Sequence, residues 1–299
     1  MFPSIASQDL KMEIFRATCG GFHGCNFKLL PPFSVHHPPF RRSAPATDLI
    51  LPTKPKLRHQ KSTACALLED KDSAKDANTD VSLLVKKRAS EVSLDLKGTS
   101  LFLVGINSSV KSNLGKHLAD ALRYYYIDSD SVVEDSVGGK AAAASIIKTD
   151  KEGFQDSETE VLRQLSSMGR LLVSAGSGAV RCSTNLALLR HGISIWIDVP
   201  LKLVAREVVE DKVQLSAFEL SMTGESYSEV LAQMASLLEE RRSGYATADA
   251  TVSLTKVASR LGYEDLCSVS TEELCLEVLK EISKLLRLKK MIEEAARPF

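Results

Sequence analysis

Gly105, Lys111 and Ser112 stand at the spacing of a phosphate-binding loop, in the run FLVGINSSVKSNLGKHLADAL over residues 102–122. Loops of the form GxxxxGK[ST] hold polyphosphates because successive backbone N–H groups converge on phosphate oxygens, the lysine meets the outer phosphates, and the hydroxyl binds magnesium. Here the residue before the lysine is Val110, where the pattern asks for glycine. Glycine serves there because the chain takes torsions and an approach distance that a side chain obstructs. A β-branched residue held at positive φ costs about 1–3 kcal/mol. Two outcomes are open: the loop is strained, or it is reshaped with at least one N–H turned away from the phosphate. In either case the helix N-terminus remains a generic anion site.

Positioning such a loop takes a strand before it and a helix after it, and the surrounding pattern supplies both. Leu114, Leu118, Ala121 and Leu122 recur at helical spacing, which a helix buries on one face and a strand does not. From about residue 98 to 258, short apolar runs alternate with amphipathic stretches, the pattern of a parallel sheet covered on both faces. The expected strands are Leu101 to Val104, Tyr124 to Ile127, Leu171 to Ser174, Ile193 to Ile197 and Thr251 to Leu254. The tail from Thr271 begins with a capping-box-like threonine and is expected to run as one long amphipathic helix. No internal repeat is visible.

The ends differ in composition from this centre. Residues 1–68 hold nine Lys or Arg against three acids, Asp9, Glu13 and Asp48, with many Ser, Thr, Pro and His residues. An acid-poor, basic, Ser-rich stretch is the signature of an organellar transit peptide, and its prolines exclude a core element. Residues 69–97 are charge-dense and are expected to be a linker with a short helix around Val81 to Val92. The body would then span 98–258, with 259–299 as the C-terminal helix.

Over the whole chain 38 basic residues balance 38 acidic ones, so no global charge invites nucleic acid or an anionic membrane. No apolar run approaches the roughly 18 residues that span a bilayer. The six cysteines form no CxxC pair and have no histidine at metal-ligand spacing, which indicates neither a zinc site nor a disulfide framework.

After the loop come YYYIDSDSVVEDSVGG, GFQDSETEVLRQLSSMGRLLVSAGSGAV, GISIWIDVPL and LLEERRSGYATADATV. In this order and spacing the chain resembles the shikimate kinase family over about residues 98–258. The resemblance implies a three-layer α/β fold of the P-loop, nucleoside-monophosphate-kinase type around a central parallel five-stranded sheet. It also implies a chloroplast location and a nucleotide site for ATP with magnesium.

By that resemblance Gly105, Lys111 and Ser112 would cradle ATP, Ser112 and Asp128 would hold magnesium, and Asp130 would grip the shikimate hydroxyls. Glu158, Gly176, Gly178 and Arg241 match further substrate-side positions. Three departures stand out. Val110 replaces the loop glycine. In FQDSE, Gln155 takes the place of a carboxylate-clamping arginine, and a lost charge-assisted bond of roughly 1.5–3 kcal/mol weakens binding by one to two orders of magnitude. The lid region KVQLSAFELSMTGES carries no arginine, only Lys212, whereas such arginines are worth about 10³–10⁵ in rate. Ser177, between the two glycines, adds a hydroxymethyl group where the family keeps glycine.

The expectation is therefore a chloroplast protein with the kinase scaffold and without shikimate phosphorylation. It would bind ATP and magnesium weakly if at all, and act through binding or regulation in chloroplast biogenesis, on a partner the sequence does not identify. The competing reading is an active ATP-dependent small-molecule kinase whose acceptor is not shikimate.

Overall fold

The structure is a computed structural model and describes residues 73–210 and 226–296. The proposed transit segment, 1–68, and all of the expected lid except Ser226 lie outside the described residues. The first half runs α1 (Ser73–Leu96), β1 (Leu101–Val104), α2 (Ser109–Leu122), β2 (Tyr125–Asp128), α3 (Ser129–Ser136), α4 (Lys140–Thr149), α5 (Lys151–Ser167) and β3 (Leu171–Ser174). A 3₁₀ turn at Ser177–Val180 leads to α6 (Ser183–Leu189), β4 (Ile193–Asp198) and α7 (Leu201–Glu210). After the undescribed stretch come α8 (Tyr227–Tyr245), β5 (Ala250–Ser253), α9 (Leu254–Leu261), a second 3₁₀ turn at Leu266–Ser268 and α10 (Thr271–Ala295).

The five strands form one parallel sheet in the order β2-β3-β1-β4-β5. β1 at its centre is buried along its whole length, as an apolar run between two helical layers must be. The connection from β1 to β2 crosses the sheet in one direction, and those from β2 to β3, β3 to β4 and β4 to β5 cross in the other. Right-handed crossovers therefore place α2 on one face and the later connections on the opposite face. The crevice where the two directions diverge lies beyond the C-terminal ends of β1 and β3, the ordinary ligand position of such sheets.

Two elements differ from the sequence reading. Residues 69–97, expected as a linker with a short helix around Val81 to Val92, contain a 24-residue helix, α1. Val85, Ala89, Val92 and Leu96 recur at spacings of four and three, and all are buried. Of its described charges, Asp80, Lys86, Lys87, Glu91 and Asp95 are exposed. The cap of α10 is Ser270 rather than Thr271: its side chain accepts from the Glu273 N–H, while the Glu273 carboxylate accepts from the Ser270 N–H. α10 then packs on α1 and α2, burying Leu274, Cys275, Val278, Leu279 and Ile282. Among the described residues no helix is long and apolar enough to cross a membrane.

Candidate functional site

The loop after β1 begins at Gly105, whose φ of +137° only glycine holds at low cost. A Cβ there would come within 2.5 Å of the Ile197 carbonyl oxygen, so the position is fixed by close packing on β4 as well. Helix α2 starts at Ser109 and is capped by Ser108, whose hydroxyl accepts from the Lys111 N–H. Val110 is thus the second residue of a regular helix turn, half-buried against the core and absent from the residues at positive φ. Of the two outcomes the sequence left open, the structure shows the reshaped loop. Starting the helix early removes the strain that a positive φ would have imposed on valine.

The loop's lysine is turned inward. The Lys111 ammonium, 1% exposed, donates to the carbonyls of Gly105 at 3.0 Å and Ala175 at 2.7 Å and to Asn107 Oδ1 at 2.7 Å. It therefore staples the loop to the turn after β3. The Ser112 N–H donates to the Ser108 carbonyl, as in any first helical turn. The Ser109 N–H and hydroxyl both donate to one carboxylate, that of Glu207 in α7, at 2.9 and 2.6 Å.

Asp128 ends β2 and caps α3, its Oδ1 accepting from the Asp130 N–H at 3.1 Å. Ser112 and Asp128 are the oxygens left to hold magnesium, and the Tyr126 phenol is buried beside Ser112, Ser174 and Asp128. Burial and then the Asp128 charge push that phenol up to about 12. One carboxylate already used as a cap, with one hydroxyl, would hold the ion only together with phosphates, since magnesium demands octahedral oxygen ligation. No cluster of three or more His, Cys, Asp or Glu able to hold a metal occurs among the described residues.

On the acceptor side, Asp130 takes a hydrogen bond from Asn107 Nδ2 at 2.7 Å, so Asn107 links it to Lys111. Burial, followed by the charges of Asp128 and Glu158, raises Asp130 to about 8. Its carboxylate lies against Gly176, where a Cβ would sit 1.7 Å from Oδ1, and Glu158 lies likewise on Gly178, at 2.2 Å. Both glycines are needed because a carboxylate occupies the space a side chain would take. Burial raises Glu158 to about 7, against the lowering effect of Arg181 and then Arg241.

Arg181 is the residue that sequence reasoning missed. It follows the GSGAV turn directly, and its guanidinium donates to the Gln155 side-chain oxygen at 2.5 Å and lies 4.0 Å from Glu158. The charge missing at Gln155 thus returns from another element, and Gln155 serves as its acceptor. Arg241 is 7% exposed and lines the same cleft, with a Glu240 oxygen 3.2 Å away. Ser177 also lines it, and the free volume is about 20 Å³, room for one or two waters rather than a six-carbon ring. The structure therefore gathers the loop, Asp128, Asp130, Glu158, Gly176, Gly178 and Arg241 at one crevice; lid residues 212–225, Lys212 among them, lie outside the described residues.

The sequence model of the shikimate kinase family matches residues 107–283. The chain is 51% identical, over 72% of its length and 74% of the relative's, to an Arabidopsis thaliana protein described as "Probable inactive shikimate kinase like 1, chloroplastic". It is 36% identical to shikimate kinase 2, chloroplastic, of Oryza sativa subsp. japonica, over 69% of this chain and 67% of that one. A solved shikimate kinase of Acinetobacter baumannii, in complex with shikimate, superposes with a TM-score of 0.51 at 24% identity, covering 64% of this chain and 97% of that one, which bears on fold alone.

Proposed function

The chain belongs to the shikimate kinase family, among its chloroplast members, and from that premise we propose that it is a non-phosphorylating member that acts by binding. The observation that carries this reading is the engagement of Lys111. A lysine that serves phosphoryl transfer must reach outer phosphates and neutralise charge as it develops. Here the ammonium donates to the Gly105 and Ala175 carbonyls and to Asn107 Oδ1, oxygens of the protein itself, inside a loop whose helix begins before the lysine. The lid's lack of arginine supports the same reading from the sequence. So does the description of the 51% identical relative as probably inactive.

The cleft lined by Glu158, Arg181 and Arg241 is polar and charged, which supports binding of a small carboxylated or hydroxylated molecule once the side chains that leave it only about 20 Å³ move apart. The role falls in chloroplast biogenesis, on a partner still to be identified; normal plastids in plants lacking the protein would contradict it. Full-length protein supplied with ATP, magnesium and shikimate is expected to form no shikimate 3-phosphate above a no-enzyme control. Robust turnover overturns the proposal.

One observation favours a second reading, a kinase for another acceptor: Asp128 and Asp130 remain at the strand end beside Ser112 and Lys111. Calorimetric titration with MgATP separates the two, because any such kinase requires nucleotide affinity and the first reading does not.

A further inference from the structure

At the mouth of the loop, the first backbone N–H of α2 already has an anion on it. Glu207 reaches across from α7, 98 positions along the chain, and binds Ser109 twice, through the N–H at 2.9 Å and the hydroxyl at 2.6 Å. A helix N-terminus attracts negative charge because its unpaired N–H groups and macrodipole present a partial positive charge. A carboxylate in two-point contact there has the charge sign and acceptor chemistry of a phosphate oxygen. The second half of the same seat, the Lys111 ammonium, is turned to Gly105, Asn107 and Ala175.

We infer that Glu207 is the resident anion of the loop and the residue that determines what the loop accepts. While its carboxylate sits on Ser109, polyphosphates are excluded twice over, by occupation of the Ser109 N–H and hydroxyl and by like-charge repulsion. Repulsion from one carboxylate at contact range weakens a polyphosphate's binding by roughly 10- to 100-fold. The inference deepens the proposed function and rests on it, since it identifies what keeps nucleotide from the site. It differs from the Val110 argument, which concerns backbone shape and not charge.

Titration of the full-length protein with sodium tripolyphosphate, and separately with MgATP, tests it. The wild type is expected to bind weakly. Glu207→Gln, which removes the charge and keeps the shape, and Glu207→Ala are each expected to bind tripolyphosphate at least about 10-fold more tightly. A ligand-free readout accompanies these: the Ser109 amide resonance shifts in Glu207→Ala, because its acceptor is gone. Equal affinity in wild type and both variants overturns the inference, and so does tight binding by the wild type.

Shikimate 3-phosphate measured on the same samples distinguishes this inference from the function it rests on. Tightened binding with background turnover supports both. Unchanged binding with background turnover removes the role of Glu207 and leaves the non-phosphorylating reading in place. Turnover by wild type together with tightened variants removes the functional reading alone.

Discussion

Glu158 shows how the cleft's charges are balanced. Two guanidiniums lie near it, yet burial outweighs them and the carboxyl is raised to about 7 from an ordinary 4.5. A carboxyl whose folded value lies above its unfolded one contributes stability that is fully present below pH about 4.5 and is lost as pH rises through about 7. Thermal unfolding of the wild type is therefore expected to move to lower temperature between pH 5 and 8. Glu158→Gln, which cannot ionise, should gain on the wild type by a few degrees across that window, at about 2–4 °C per kcal/mol for a chain of this size. A pH-independent gap between the two proteins would show that Glu158 does not ionise there. At this scale the sequence reading was partial. It named Glu158, Arg241 and Asp130 through the resemblance, but the partnerships that set their properties join distant positions. Arg181 meets Gln155 from 26 residues away, and Glu207 meets Ser109 from 98. No local pattern encodes such pairs, because they depend on how strands β1, β3 and β4 are placed side by side.

The start of α2 carries the next prediction. Val110 occupies a regular helical turn and packs on the core, so a glycine there loses packing and adds backbone freedom to the unfolded chain. Val110→Gly is expected to lower stability by about 1 kcal/mol in urea unfolding. It should leave phosphoryl transfer at background, because the contacts of Glu207 and Lys111 do not depend on the valine side chain. Recovery of turnover by this single change would mean that the valine alone disables the loop. Elements such as this were legible where periodicity was strong. All five strands appear within one residue of their expected bounds, since apolar runs between turn signals leave little choice. The start of α2 was not legible: deciding between strain and reshaping needed the Ser108 cap and the Glu207 contact, which compensate for the missing glycine. α1 was legible only in its middle, Val81 to Val92: its buried residues are diluted by charge, so composition hid its length and its place in the core.

The full length of α1 matters for the molecule as a whole. α1, α2 and α10 pack against one another, so the face of the sheet beneath α2 is sealed by helices from the two ends of the described chain. Cys275 of α10 approaches the Leu114 carbonyl of α2, and Leu96 at the end of α1 is 1% exposed. Burying Val85, Val92 and Leu96 contributes about 1.5–3 kcal/mol each, a sum comparable with the roughly 5–15 kcal/mol that holds a domain folded. A chain cut at residue 98, where the sequence alone would begin the domain, is therefore expected to expose the outer faces of α2 and α10 and to bind a hydrophobic dye. One that begins before Ser73 should unfold cooperatively. Within the full chain, Leu96→Ala should cost about 2–5 kcal/mol in chemical denaturation, the range for a leucine removed from a closed core. A loss under about 1 kcal/mol would place α1 as an accessory cover rather than part of the core. The expected loss follows from geometry. Leu96 lies just before β1, so the cavity it leaves would open beside the central strand, on whose far end the whole loop is built.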